Sequence, residues 1–96
     1  MIQRFCFVKL RDDVVARRGV LAAQLSAELR EAGADAVVGL PADASAARWD
    51  LSIVITAASL EAWHALAQVP AMIGVFDQLA ERAAVVKAWT FEAAEP

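Results

Sequence analysis

Few side chains of this chain are suited to acid–base chemistry near neutral pH. His64 is the single histidine, and imidazole titrates in this range, so His64 is a candidate general base or ligand-orienting group. Its closest carboxylate in sequence is Glu61, and a pair spaced i, i+3 is a surface contact on a helix. We therefore predict that His64 is a partly exposed helix residue beside Trp63, with a role at a ligand site as the alternative.

Arg4 is the second residue of chemical interest, because it interrupts an apolar strand face. It shares that face with Ile2, Cys6 and Val8. A buried guanidinium is costly unless it is paired. Pairing with Asp50, or a position at the rim in water, is the favoured interpretation. The alternative is that Arg4 is held for an anionic ligand. Arg4 and Asp50 are thus both candidate ligand-binding residues.

Trp49 and Trp89 are further candidates, since their rings could stack on an aromatic ligand. Tryptophans in strands more often anchor a core or a dimer interface, and both interpretations are retained. Cys6 has no adjacent base and is predicted to be a small buried hydrophobe rather than a nucleophile. One histidine, one cysteine and scattered acids give no metal-ligand spacing, so we predict neither a metal site nor a cofactor.

The composition predicts one apolar domain over residues 1–96 that associates with itself. Hydrophobic residues make up 59% of the chain and the mean hydropathy is +0.47, which is more apolar surface than one small core can hide. No run approaches the ~18–20 apolar residues that span a bilayer. A second copy of the chain therefore explains the composition better than a membrane does.

The charge pattern and the cysteine count bear on the partners and the location. The net charge is −3 and the charged residues are scattered, so no basic face predicts nucleic-acid binding. The first ten residues contain Arg4 and Lys9 and no small-residue cleavage site, which predicts a strand rather than a signal peptide. A single cysteine excludes an internal disulfide, and we therefore expect a cytoplasmic protein.

Hydrophobic periodicity predicts four strands and three helical segments. Strands are predicted at residues 2–10, 34–40, 49–56 and 84–92, and helices at 14–31, 60–68 and 71–82. Asp12 or Asp13 should cap the first helix, and Gly33 should end it. Ser59 should cap the second helix, and Pro70 should begin the third.

Alternation within each strand predicts which side chains share a face. In the first strand Arg4, Cys6 and Val8 point one way. Both faces are apolar in the middle, so this strand should be central. In the third strand Trp49 should share the face of Leu51. If Trp49 is a buried anchor there, its replacement by alanine would cost about 3–5 kcal/mol.

The predicted order β-α-β-β-α-β is that of the ferredoxin-like split arrangement, an α+β fold. It places both helical parts on one face of a four-stranded antiparallel sheet and leaves the other face bare. No strand has a cleanly polar face, and an apolar patch of several hundred Å² is unusual on a monomer. We therefore predict a homodimer that packs sheet to sheet.

Four stretches carry a family resemblance over almost the whole chain. They are MIQRFCFVKLRDD, VVGLPAD, WDLSIVITAASLEAWHALAQVPAM and VVKAWTFE. With these stretches the chain resembles the stress-responsive A/B barrel (Dabb) family of dimeric α+β barrel proteins. The resemblance implies a ferredoxin-like protomer and a homodimer whose two sheets close into a barrel.

The chain departs from this family at the positions that bear on proton transfer. Family members often have a histidine where this chain has Arg4. They often have an aromatic residue four positions before the proline and histidines just before it and two after it. The corresponding residues here are Leu66, Val69 and Met72. A plant polyketide cyclase similar to the family uses a Tyr/His pair at such positions, but Leu66 and Met72 cannot exchange a proton.

Three functions remain open. The favoured one is a stress-related protein that binds a small apolar or carboxylated ligand in the barrel interior. The second is a cofactor-independent enzyme, cyclase-like or monooxygenase-like, with His64 and Arg4 as its polar groups. The third is a structural dimer without a ligand pocket. The loss of proton-transfer groups at Leu66 and Met72 favours binding over catalysis.

Overall fold

The computed structural model describes residues 1–94, and its elements follow the predicted order. The strands are β1 (Ile2–Leu10), β2 (Asp35–Gly39), β3 (Leu51–Ala57) and β4 (Ala83–Glu92), and the helices are α1 (Arg18–Glu31), α2 (Leu60–Ala67) and α3 (Pro70–Arg82). Short 3-10 turns lie at Val15–Arg17 and Ala44–Ala46. No helix within residues 1–94 is both long enough and apolar enough to cross a membrane.

The four strands form one sheet in the order β2-β3-β1-β4, and every neighbouring pair is antiparallel. The first strand is central, as predicted. Because side chains alternate along a strand, β1 and β3 each turn one set of side chains toward the helices, and it is this set that is buried. The fold is therefore the predicted ferredoxin-like α+β arrangement, with the helices on one face.

The core lies between the sheet and the helices. Its fully buried side chains are Val8, Leu10, Leu29, Leu51, Ile53, Ile55 and Met72. Each such aliphatic side chain contributes about 1.5–3 kcal/mol by leaving water. The opposite side of the sheet is covered by no other element of the described chain. We call it the open face, and it comprises Gln3, Phe5, Phe7, Lys9, Asp35, Val37, Ser52, Val54, Thr56, Val85, Lys87, Trp89 and Phe91, with the ring of Trp49 packed against Phe7.

Three predicted helix boundaries are confirmed. The Ser59 hydroxyl accepts a hydrogen bond from the Ala62 amide at 3.1 Å and so caps α2. Pro70 occupies the first turn of α3, where its missing N–H costs no intrahelical bond. Gly33 has φ of +95°, the left-handed conformation that ends α1 without a steric clash.

The predicted cap of the first helix is wrong. The Arg11 guanidinium binds both carboxylate oxygens of Asp13 at 3.1 Å, so this carboxylate is not free to accept from a helix amide. Neither Asp12 nor Asp13 caps a helix, and α1 begins only at Arg18, after the 3-10 turn.

The face predicted for Trp49 is also wrong. Trp49 precedes β3, and its amide donates to the carbonyl of Ala46 in a turn. Its ring centroid lies 5.9 Å from that of Phe7, on the open face. The chain becomes extended only at Leu51, so the alternation of β3 does not reach back to Trp49.

The apolar residues of the third helix predict that Met72, Ile73, Phe76 and Leu79 face the core, and the structure differs at two of the apolar positions of α3. Val75 is buried together with Met72 and Leu79, whereas Ile73 is 44% exposed. Phe76 is half-buried beside the core. Since residues three and four apart share a helix face, burial of Met72 and Val75 turns Ile73 toward the margin of the helix layer.

Candidate functional site

A cavity of about 360 Å³ lies between the sheet and the two C-terminal helices. Its apolar wall is formed by Trp63, Ala67, Met72, Ile73, Phe76, Val86 and Ala88, and its other lining residues are Arg4, Cys6 and Asp77. We call it the inter-layer cavity. Its volume is within the roughly 300–1,000 Å³ range of small-molecule sites, which are likewise mostly apolar with a few polar groups.

Small side chains on the strands leave this space unfilled. Cys6 on β1 is paired with Ala88 on β4, and Arg4 is paired with Thr90. Short side chains along β4 reach only part of the way toward α3, and Val86 stays 43% exposed. The break between α2 and α3 at Pro70 separates Trp63 from Met72 and lets them form two walls of the cavity.

Arg4 is held in a defined position at the edge of the cavity. Its Nη1 donates to the Thr90 hydroxyl at 2.8 Å across the β1–β4 pair. Its guanidinium carbon lies 5.6 Å from the ring centroid of Trp63, within the range of a cation–π contact. The ion pairs found within residues 1–94 join Arg11 to Asp13 and Arg18 to Asp50, so Arg4 has no carboxylate partner there.

The predicted pairing of Arg4 with Asp50 is wrong. Asp50 accepts from the Leu10 amide at 2.8 Å and from Nη1 of Arg18 at 3.2 Å. The register of the sheet explains this, since Arg4 lies opposite Ile55 and Asp50 lies at the Leu10 end of β1. Arg4 and Leu10 are six residues apart along β1, which is about 20 Å of extended chain. Asp50 lies outside the inter-layer cavity.

Trp49 and Trp89 lie on the other side of the sheet from Arg4. Both rings pack against Phe7 on the open face, each with a centroid distance of 5.9 Å. Phe5 adds an edge-to-face contact with Phe91 at 5.8 Å. A shallow depression of about 590 Å³ covers part of this aromatic surface. Ligand contacts of the two tryptophans would therefore form on the open face.

His64 lies exposed on α2. The preceding residue, Trp63, is buried and lines the inter-layer cavity. Consecutive helix residues point about 100° apart, so the imidazole is directed away from the cavity. The candidate residues thus fall in four places, with Arg4 in the cavity, the tryptophans on the open face, Asp50 at a strand end and His64 at the surface.

Cys6 is buried in the wall of the cavity, as predicted. Burial raises the pKa of its thiol above the ordinary value of 9.0, and the nearby Arg4 guanidinium offsets only part of this rise. The thiol is therefore protonated near neutral pH, which disfavours nucleophilic attack.

Sequence reasoning missed Asp77 and Thr90 as residues of the site. Asp77 resembles any exposed polar position on a helix, and Thr90 is one of several small residues on an alternating strand. The pairing of the first and last strands is what brings Thr90 to Arg4. The spacing of Met72 and Phe76, four residues apart on one helix, was the available signal for a shared wall.

No protein-family model matches this chain, and no curated protein matches it. Solved structures do match. A dimeric ferredoxin-like protein of unknown function from Thermobifida fusca is 15% identical with a TM-score of 0.77, covering 96% of this chain and 90% of that one. A protein of Arabidopsis thaliana is 12% identical with a TM-score of 0.81, covering 100% and 98%.

A hydroxynitrile lyase from Passiflora edulis is similar to the same degree. It is 9% identical with a TM-score of 0.81, and the match covers 99% of this chain and 94% of that one. Identities this low establish the fold alone. The chain therefore has the ferredoxin-like fold, and the solved structures similar to it include dimeric proteins.

Proposed function

We propose that this protein is a Dabb-like homodimer that binds a small apolar molecule in the inter-layer cavity of each protomer. The cavity itself is the observation that carries this proposal. About 360 Å³ opens beside the buried residues Trp63 and Met72, and this volume and its mostly apolar wall are typical of small-molecule sites. This space favours a ligand-binding protein over a purely structural dimer. Under this proposal the ligand lies between the sheet and the helices of one protomer, whereas the sequence predicted the barrel interior.

Binding is favoured over catalysis by the chemistry of the cavity wall. Met72, at one of the family's proton-transfer positions, lines the cavity and offers only a thioether. Arg4 offers a guanidinium, which has hydrogen-bond donors and no acceptor, and the Cys6 thiol has a raised pKa. Asp77, at the exposed margin, is the remaining titratable group of the wall.

The two methionines allow a direct test of binding. Met72 lines the cavity, whereas Met1 is 63% exposed and outside it. In protein labelled with ¹³C at the methionine methyls, 1-octanol should shift the Met72 signal saturably and leave the Met1 signal in place. Ala88→Phe, which places a ring in the cavity, should abolish the shift, while Ala84→Phe, at an exposed position of β4, should retain it. Equal shifts of both methyls, or an unchanged response in Ala88→Phe, would contradict the proposal.

The open face supports the homodimer. Five aromatic rings lie on it, and Trp89, Phe91 and Val37 are 46%, 56% and 68% exposed. A two-fold dimer covers such a patch with a copy of itself, and the similar solved structures include dimeric proteins. The proposed dimer buries the aromatic rings that would otherwise stand in water.

Sedimentation of wild type and two matched variants tests the dimer. Phe91→Asp places a charge beside the aromatic rings of the open face and should give the mass of a single 10.3 kDa chain. Val20→Asp changes an equally exposed apolar residue of α1, 60% exposed, and should leave the dimer intact. A wild-type mass of one chain at micromolar concentration would defeat this part of the proposal.

A further inference from the structure

We propose that the ligand of the inter-layer cavity is an amphiphilic monoanion, an apolar body with one carboxylate head that binds to Arg4. This inference rests on the proposed function, because it assigns a chemical class to the molecule in that cavity. It is carried by the position of Arg4, by the polarity of the wall and by the size of the space.

Arg4 has donor capacity that the described protein does not use. A guanidinium carries five N–H donors in a fixed fork, and one of them is engaged by the Thr90 hydroxyl. Arg11 and Arg18 each bind a carboxylate of the chain, whereas Arg4 has no such partner within residues 1–94. A half-buried cation in an apolar wall gains most from an anion that arrives with the ligand.

The guanidinium is also pre-oriented for a carboxylate. Thr90 fixes one nitrogen at 2.8 Å, and the ring of Trp63 lies 5.6 Å from the guanidinium carbon. These two contacts restrict the rotamers of a long side chain before the ligand arrives, which lowers the entropic cost of binding. The remaining N–H groups can then form the paired hydrogen bonds that planar guanidinium and carboxylate groups make.

The rest of the wall sets the remaining features of the ligand. Trp63, Met72, Ile73, Phe76 and Val86 require an apolar body. Asp77 lies in the same wall and repels a second negative charge, so a monoanion is favoured over a dianion. About 360 Å³ holds about a dozen non-hydrogen atoms at the ~30 Å³ that each water occupies in the liquid. Octanoate and short arylalkanoates have this size.

Three probes of one length and different charge test the head group. Octanoate, 1-octanol and octylammonium are titrated into the wild-type protein, with the Met72 methyl signal as the readout. We expect octanoate to bind at least tenfold tighter than octanol, and octylammonium to bind no tighter than octanol. Added salt should weaken octanoate binding and leave octanol binding unchanged.

Arg4→Gln and a matched surface variant assign the effect to one residue. Arg4→Gln retains a donor for Thr90 and loses the charge, so octanoate and octanol should then bind within about twofold of each other. Arg48→Gln removes an exposed arginine outside the cavity and should keep the tenfold preference. If Arg4→Gln fails to fold, the relative affinities of octanoate, 1-octanol and octylammonium for wild type still test whether the site prefers a carboxylate.

The outcomes separate this inference from the function on which it rests. Equal binding of octanoate and octanol to wild type would overturn the carboxylate inference and leave the apolar ligand site standing. Tighter binding of octylammonium would also overturn it, because Asp77 would then select the head group. If none of the three probes moves the Met72 signal, the proposed function itself fails.

Discussion

Asp50 joins the end of β1 to α1, and its replacement should destabilise the fold. Its amide donates to the Val8 carbonyl at 2.8 Å, and its carboxylate accepts from the Leu10 amide at 2.8 Å. The side chain thus replaces the carbonyl that a longer β3 would offer. The other carboxylate oxygen pairs with Arg18 at 3.2 Å. Asp50 is 7% exposed and Leu10 is 1% exposed, so water does not readily replace the lost partner.

The size of the effect follows from which partner each substitution removes. Asp50→Ala leaves the buried Leu10 amide without an acceptor, and we expect a loss of about 2–3 kcal/mol. Asp50→Asn keeps an oxygen for that amide and loses only the ion pair, so about 1 kcal/mol is expected. Arg18→Ala should cost less than ~1 kcal/mol, because the Arg18 side chain is 45% exposed and returns to water.

Urea unfolding followed by tryptophan fluorescence measures these differences. All variants must be compared at one protein concentration, because dimer dissociation contributes to apparent stability. A chain of 96 residues has a total stability of about 5–14 kcal/mol, so the Asp50→Ala loss is easily resolved. The reasoning is refuted if Asp50→Ala unfolds within ~0.5 kcal/mol of wild type, or if Asp50→Asn costs as much as Asp50→Ala.

Three further predictions concern single contacts. Because the pKa of the Cys6 thiol is raised, the folded state holds this proton more tightly than the unfolded chain does. The free energy of unfolding of wild type, relative to that of Cys6→Ala, should therefore be constant below about pH 8 and fall as the pH rises past 9.0. Urea titrations across that range check it, and a flat difference would contradict it. A Cβ at Gly39 would lie 2.5 Å from the Ser52 hydroxyl oxygen, so Gly39→Ala should cost about 1–2 kcal/mol and Gly39→Ala/Ser52→Ala should recover most of this in the same assay. If Gly39→Ala leaves the free energy of unfolding unchanged, the Ser52 side chain moves aside freely and the prediction is wrong. Ser59→Ala removes the α2 cap bond to the Ala62 amide and should lower the free energy of unfolding by about 1 kcal/mol, whereas Ser59→Asp should keep it.

Features that depend on neighbouring residues were predictable from the sequence. The Ser59 cap, the Pro70 start and the left-handed Gly33 each follow from the chemistry of one residue and its immediate neighbours. The same holds for the strands, which are short runs rich in β-branched and aromatic residues. From the order of these elements the ferredoxin-like fold follows, because few topologies bury their apolar faces with short connections.

Features that depend on register were not predictable. A slip of one residue moves a side chain to the other face of a sheet, and the bend before Leu51 has this effect on Trp49. The partner of Arg4 depends on the pairing of β1 with β3 and β4, which are about fifty and eighty-five residues away in the chain. Local pattern carries no record of that pairing, so Asp50 was assigned to the wrong arginine.

Where β1 pairs with β4, the two faces of the sheet differ in side-chain size, and this difference decides where the site lies. The open face has large rings, Phe5, Phe7 and Trp89, which suit a second flat sheet. The helix face of the same strand pair has Cys6 opposite Ala88. Helices are cylindrical, so α2 and α3 do not fill the space above such small residues, even with the Trp63 side chain in place. The space left over is the inter-layer cavity. Arg4 lies beside it because residues two apart in a strand share a face, and Arg4 is two residues from Cys6.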